Sequence, residues 1–410
     1  MHIAVLSDPG NFHTQKWAKA LQRAGVQVTV FSFFAAQIEG VPCVHIPPTY
    51  TLQGKLTYGS YLYTTQALRE ALIAHQVDVV NPINITPFAV WATRAEVRPM
   101  VSIAMGADIL EYAPKNQTQI PADRVWTSNS VGKQGPMRQL QHQVKSRMFR
   151  KQVKLALDAA SLITADNLEL IRAMKQWFGV PVGKMHLNRW GLEPELFDIT
   201  EAEKNNLRKR FGVRDWQKVI LSPRGLKPIY QGDVVMKAFE LLVKRGMRGA
   251  KLILMSAGYD VPPEWDAKAR QLHEQFDNFH YQADLLPRED MSALWRIVDA
   301  FISVPVYDGN SNALNEGRYA GAVPILNRIP ANLEVVEPET EGIFLDSVTP
   351  ELMADTILDL LPQLEAKKAC MTSRNRSWVE ANGLLEHNIA DFIRDCERVL
   401  QKEGACWKHA

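Results

Sequence analysis

Apolar positions along the chain fall into short β-branched runs, separated by longer stretches in which they recur every three or four residues. "HIAVLS", "VQVTVFS", "VDVVNP", "MVSIA", "SLITA" and "KMHLN" read as strands, with helices such as "HTQKWAKALQRAG" and "TQALREALIAHQ" between them. The rhythm resumes after residue 217 in "KVILSP", "KLILMSA", "NFHYQA", "DAFISVP", "AVPILN" and "GIFLD", with helix patterns at "GDVVMKAFELLVKRG" and "REDMSALWRIV". Such βα alternation predicts an α/β protein with two doubly wound, Rossmann-like domains, 1–195 and 196–384, facing each other across a cleft at the carboxyl ends of both sheets. The charged stretch "GLEPELFDITEAEKNNLRKRFGVRDW" interrupts the strand pattern and marks the join near residues 191–216. The final segment, "SWVEANGLLEHNIADFIRDCERVLQK", predicts one long amphipathic helix whose end, about 385–410, packs back on the first domain. No internal repeat or low-complexity tract interrupts this scheme.

Composition refines the picture in three ways. A chain of 410 residues that is 46% hydrophobic and 22% charged has apolar material for two cores. Its formal charge of +2 argues against a nucleic-acid partner. Cys43, Cys370, Cys396 and Cys406 lack metal-type spacing and read as free thiols of a reducing compartment. The first strand starts at residue 2, and no apolar run approaches the roughly 18 to 20 residues of a membrane span, so a cytoplasmic protein is expected, peripheral to a membrane at most.

The candidate chemistry lies in loops that follow strands. In "DGNSNALNEGRYAGAVPILN", Asp308 should sit in the loop after a strand and Glu316 in the first turns of the next helix, capped by Ser311 or Asn312. The open amides of Ser311, Asn312, Ala313 and Leu314 then suit a diphosphate, and the flanking acids suit sugar hydroxyls; the plainer alternative is an acid-decorated helix cap. In "LSPRGLKPIYQG", Arg224 at a strand end can fork onto a diphosphate, or merely cap the strand. Gly10 follows the first strand and lets backbone approach a ligand, with His13 or Thr14 opening the next helix; His13 reads as a ligand contact or a structural residue. "VSIAMGADILEY" brings Gly106 and Asp108 to another strand end, where Asp108 would accept a proton or cap the next turn. From Arg124 to Leu157 there is no acid, and Lys133, Arg138, Lys145, Arg147, Arg150, Lys151 and Lys154 share the segment with Leu140, Val144 and Met148 at helical spacing. That pattern fits a helix resting on an anionic membrane, or a core-facing stripe with a solvated basic face.

The stretch from Asp308 to Glu316 resembles the region of two acids separated by seven residues in glycosyltransferase family 4, which has the GT-B fold, and "EGRYAGAVPIL" is similar to the segment that follows there. The first position here is Asp308, one methylene shorter than the usual Glu; Glu316 matches. The family pattern also has an Arg followed five residues later by a Lys. Arg224 matches, but the Lys position holds Ile229, or Gln231 if the loop is aligned on Gly232, which leaves Lys227 as the nearby substitute. The N-terminal strand, loop and helix around Gly10, the Gly106–Asp108 element, and Asn188, Gly191, Glu193 and Phe197 also resemble family features. The resemblance implies a retaining transferase needing no metal or cofactor, which moves a sugar from a nucleotide-diphosphate sugar, UDP first and GDP second, to a hydroxyl of a glycan, lipid-linked glycan or small molecule. It gives Asp108, Arg224 and Asp308 catalytic roles, assigns donor binding to Gly10, Arg224, Lys227, Asp308, Ser311, Asn312, Ala313, Leu314 and Glu316, and places His13, Gly106 and Asp108 on the acceptor side. Two alternatives remain: a nucleotide-sugar epimerase or hydrolase on the same fold, which would act on the donor without an acceptor, and a catalytically weak binding or partner protein of the same ancestry, suggested by the departures at Asp308 and Ile229.

Overall fold

The computed structural model describes residues 1–48, 64–112, 136–256 and 261–404, the stretch 136–146 by its backbone alone. Two compact units divide the chain. The described residues of one fall within Met1–Thr118, Lys133–Trp190 and Leu385–Ala410, and those of the other within Gly191–Leu384. The break between Trp190 and Gly191 precedes the 195/196 boundary expected from sequence. Leu192 and Phe197 are buried in a core of the second unit, and the Leu192 N–H donates to the Gly383 carbonyl at 2.7 Å.

The first unit begins with β1 (His2–Leu6), α1 (Phe12–Arg23), β2 (Gln27–Ser32), β3 (Cys43–His45), α2 (Thr65–Ala74) and β4 (Val79–Pro82). It continues with α3 (Val90–Arg94), β5 (Val101–Ala104), α4 (Ala107–Leu110), α5 (Pro136–Ala159), β6 (Leu162–Ala165), α6 (Leu168–Phe178) and β7 (Met185–Leu187). Strand order is β3-β2-β1-β4 in one sheet and β5-β6-β7 in another, all parallel. Parallel bridges Val80–Met100 and Ile83–Ile103 join the two, so the order reverses between β1 and β4. α1 starts at Phe12, ahead of the expected His13 or Thr14, because the Asn11 side chain accepts from the His13 N–H and caps the helix.

The second unit comprises α7 (Glu201–Arg210), β8 (Lys218–Ser222), α8 (Gly232–Lys244), β9 (Ala250–Met255), α9 (Pro263–Gln275), β10 (Phe279–Gln282) and α10 (Arg288–Trp295). Then follow β11 (Ala300–Ser303), α11 (Asn312–Ala320), β12 (Val323–Asn327), α12 (Pro330–Val335), β13 (Ile343–Leu345), α13 (Pro350–Leu360) and α14 (Leu364–Asn382). Its sheet order, β10-β9-β8-β11-β12-β13, is wholly parallel and reverses between β8 and β11. In a doubly wound sheet that reversal opens a crevice at the carboxyl ends of the two strands, where ligands bind. α11 lies close on β11 because residue 317 is glycine: a Cβ there would come within 2.5 Å of the Phe301 ring.

The expected single C-terminal helix is two. α14 ends at Asn382 with Gly383 as its C-cap, and α15 (Leu385–Glu403) belongs to the first unit. There Leu385, Ile389, Phe392 and Cys396 join the core around Trp17, whose ring meets Phe392 at 5.0 Å. Cys43, Cys370 and Cys396 are free thiols, and Cys406 lies outside the described residues. Among the described residues no helix is long and apolar enough to cross a membrane.

Candidate active site

The exit loops of β8 and β11 bring Arg224, Asp308 and Ser311 together. Arg224 is four-fifths buried; its Nη1 donates to Ser311 Oγ at 2.7 Å, and its Nη2 to Asp308 Oδ2 at 2.5 Å and to the Tyr230 hydroxyl at 3.1 Å. The guanidinium carbon stands 4.4 Å from the centre of the Tyr230 ring. Burial works against the charged guanidinium, but Asp308, Tyr230 and Glu316 outweigh it and hold its pKa above the ordinary value. Burial pushes the Asp308 carboxyl up, opposed by the Arg224 charge and by the Gly309 N–H, which donates to Oδ1 at 2.9 Å.

Ser311 is the N-cap of α11, yet its side chain makes no capping bond, because the hydroxyl is turned to Arg224. Of the amides expected to be open, Leu314 is spent: its N–H and that of Asn315 donate to the Ser311 carbonyl at 3.1 and 3.2 Å. The amides of Asn312 and Ala313 open the helix, where no preceding turn offers them a carbonyl. Beside them lie the buried amide nitrogens of Asn310 and Asn312, and Nε of Arg224, none with a hydrogen-bond partner. Unmatched donors of this kind outweigh unmatched acceptors here, Asn315 Oδ1 being the single acceptor among them in the 308–316 loop and helix start. Glu316 accepts from the indole N–H of the fully buried Trp295 at 2.9 Å, which fixes its carboxylate on α11.

The loop that carries the family's missing Lys is occupied otherwise. Ile229 is buried and its carbonyl accepts from the Val306 N–H at 2.8 Å. Gln231, at φ 54°, caps α8, and its Nε2 donates to the Val304 carbonyl at 2.7 Å. Lys227 is buried, 4% exposed, in the same turn.

In the first unit the expected residues sit in separate loops. The Gly10 N–H donates to Asp8 Oδ1 at 2.8 Å, so this glycine closes its own turn. The His13 ring packs on Trp190 at 5.1 Å, and Trp190 on Trp17 at 5.1 Å. Asp108 is held by backbone amides. Its Oδ2 accepts from the Ile85 N–H at 2.7 Å, and its Oδ1 from the Met105 and Gly106 N–H groups, each at 2.9 Å. Three backbone donors on a carboxylate with about four lone-pair sites tie the β4 and β5 exit loops together. Burial, partly offset by those bonds, lifts its pKa to about 6. Gly106 caps α4 at φ 116°, a conformation that favours glycine. Asn84, at the exit of β4, holds φ 75°, unusual for a residue with a side chain and unsignalled by the sequence pattern.

Part of the basic segment, 124–135, lies outside the described residues, as do the side chains of Arg138, Leu140, Val144 and Lys145. Farther along α5, Arg150 donates to the Tyr112 and Trp177 carbonyls at 2.7 and 2.5 Å, and Lys154 pairs with Asp158 at 2.9 Å. Arg147 and Lys151 are exposed beside Met148 and Leu155, which are 61% and 48% exposed. Met148 is thus not part of a core-facing stripe; Val153, Ala156 and Leu157 make the buried face. Among the described residues no three His, Cys, Asp or Glu side chains converge on a metal position.

Comparison with known proteins follows the same lines. Residues 2–130 match the family described as glycosyl transferase 4-like. An uncharacterised glycosyltransferase of Methanocaldococcus jannaschii is 21% identical over 188 residues, 43% of this chain and 45% of that protein, so the match spans under half of the relative's length. A glycosyltransferase from Rickettsia africae superposes over 98% of this chain and 99% of its own with a TM-score of 0.72 at 14% identity. HepE from Anabaena, solved in complex with UDP, gives 0.70 at 14% identity over 97% of this chain and 100% of its own; it has also been solved with UDP-glucose. The two doubly wound units therefore define a protein of the GT-B fold. The N-terminal region is similar to the glycosyl transferase 4-like family.

Proposed function

We propose that the protein is a glycosyltransferase that moves a sugar from a nucleotide-diphosphate sugar to an acceptor hydroxyl, with the retention that the family 4 resemblance implies. One observation carries the reading: a buried guanidinium, two open helix amides and two buried side-chain amides, all donors, gather at the crevice where the second sheet reverses. A ligand rich in oxygen acceptors and negative charge satisfies them, and a diphosphate is such a ligand. As the bond between the sugar and the diphosphate breaks, negative charge grows on the departing phosphate, where Arg224 and the α11 amides lie ready to stabilise it. Asp308, whose two oxygens each accept one hydrogen bond, retains lone pairs for a sugar hydroxyl, and Glu316, oriented by Trp295, accepts from the ribose.

UDP-sugars are the first candidates, since HepE binds UDP and UDP-glucose, and GDP-sugars the second. The acceptor is a glycan, a lipid-linked glycan or a small molecule. Exposed Arg147, Lys151, Met148 and Leu155 on α5 support contact with an anionic membrane surface, which fits a lipid-linked acceptor at the inner face.

A thermal-shift screen of UDP-, GDP-, ADP- and dTDP-sugars tests the donor site, because a ligand at 100 times its dissociation constant stabilises the fold by roughly 2.7 kcal/mol. Arg224→Lys, which keeps the charge but loses the fork, should lose most of that shift. No shift with any nucleotide sugar would overturn the reading. Consumption of donor without acceptor would point to a hydrolase or epimerase instead.

A further inference from the structure

We propose that Tyr230 is a positioning residue for Arg224. The inference rests on the donor-site reading above and adds a residue to it. The turn from Pro228 to Tyr230 is fixed at both ends. On one side Ile229 is buried and its carbonyl accepts from Val306; on the other the Gln231 side chain reaches the Val304 carbonyl. Both positions at which the family's Lys would be sought are therefore anchors that tie the turn to the exit of β11. The residue between them, Tyr230, faces Arg224.

Tyr230 touches the guanidinium in two ways, through its ring at 4.4 Å and through its hydroxyl at 3.1 Å from Nη2. Ser311 takes Nη1, and Asp308 shares Nη2. A long arginine side chain loses rotamer freedom when it binds an anion; one already set by a ring face, a hydroxyl, a serine and a carboxylate loses less. Ser311 links this clamp to the helix start: the hydroxyl that would have capped α11 holds the guanidinium, which leaves the Asn312 and Ala313 amides facing the same place.

The test measures binding of UDP, UMP and uridine, with GDP and guanosine as a second series, to wild type, Tyr230→Phe and Tyr230→Ala by calorimetry, with urea unfolding of each variant. The expected result is a loss graded by phosphate. Tyr230→Phe keeps the ring and should bind the diphosphate about tenfold more weakly, the size of one hydrogen bond to a charged group. Tyr230→Ala should lose about thirtyfold or more, since the ring face goes too. Nucleoside affinity should stay within about twofold in both, which general loosening of the fold would not give. Wild type binding UDP or GDP with both variants unchanged overturns the role of Tyr230 and leaves the donor site standing; equal losses for nucleoside and diphosphate also overturn it. Wild type binding neither diphosphate overturns the donor site and this role with it.

Discussion

The position of α11 should depend on Arg318, a residue on the helix that carries Ser311 and Glu316. Arg318 is wholly buried: its Nε donates to Asn375 Oδ1 at 2.8 Å, its Nη2 meets Glu341 Oε2 at 3.1 Å, and its guanidinium lies 4.5 Å from the centre of the Trp378 ring. Arg318→Met keeps most of the apolar volume and places a sulfur near the indole. It also leaves Asn375, 1% exposed, without that donor, and Glu341, whose side chain is 16% exposed, without its cation. Stranding one partner of a buried ion pair costs about 3–5 kcal/mol. The Glu337 N–H, which still donates to Glu341 at 3.1 Å, and the residual exposure place the loss near the lower end. A loss of about 3 kcal/mol lowers the melting point of a unit this size by roughly 6–12 °C. Calorimetry should show that drop in the transition of the second unit, and adding Glu341→Gln should restore about 1 kcal/mol or more by removing the stranded charge. A melting point within about 2 °C of wild type would refute the account, because it would mean that neither partner needs the guanidinium.

Three further outcomes are expected. Gly317→Ala forces a Cβ to within 2.5 Å of the Phe301 ring, so it should cost about 1–3 kcal/mol by urea unfolding and weaken UDP binding; unchanged stability would mean that α11 can shift off β11 freely. Asp108 has its folded pKa raised to about 6 from 3.8, so its contribution is full below about pH 3.8 and is lost as pH rises through about 6. The stability of wild type relative to Asp108→Asn should therefore fall by about 3 kcal/mol between pH 3 and pH 7, and a difference that does not change with pH would refute the burial argument. Wild type should sediment with vesicles of anionic lipid at low salt and be released by salt, and the combined Arg147→Gln and Lys151→Gln variant should bind less; equal binding by both would remove α5 from the contact.

Much of the fold was legible because parallel strands buried on both faces read as continuous apolar runs. β3 was not, since Cys43–His45 is a short, partly exposed edge strand with no run to see. The division between α14 and α15 was hidden as well. The apolar period continues across Gly383, and a lone glycine in a helical pattern costs too little to announce a stop. In the candidate site, Arg224, Asp308 and Ser311 could be read because each follows a strand closely, and short exit loops of adjacent strands must meet. Tyr230 and Trp295 could not, since what matters is which way their rings turn. The backbone bonds of Asp108 were likewise hidden: an acid after a strand looks the same in sequence whether or not three backbone amides donate to it.

The first unit is discontinuous in sequence, and this sets an order of assembly on the ribosome. Its core around Trp17 needs Ile389 and Phe392 of α15, which are synthesised only after all of Gly191–Leu384. The second unit, continuous through that stretch, can fold as soon as it emerges, while the earlier part of the chain waits with an unfilled groove for its last helix. The half of the protein that is made first is thus completed last, and a released chain ending before residue 385 would expose the apolar groove of the first unit.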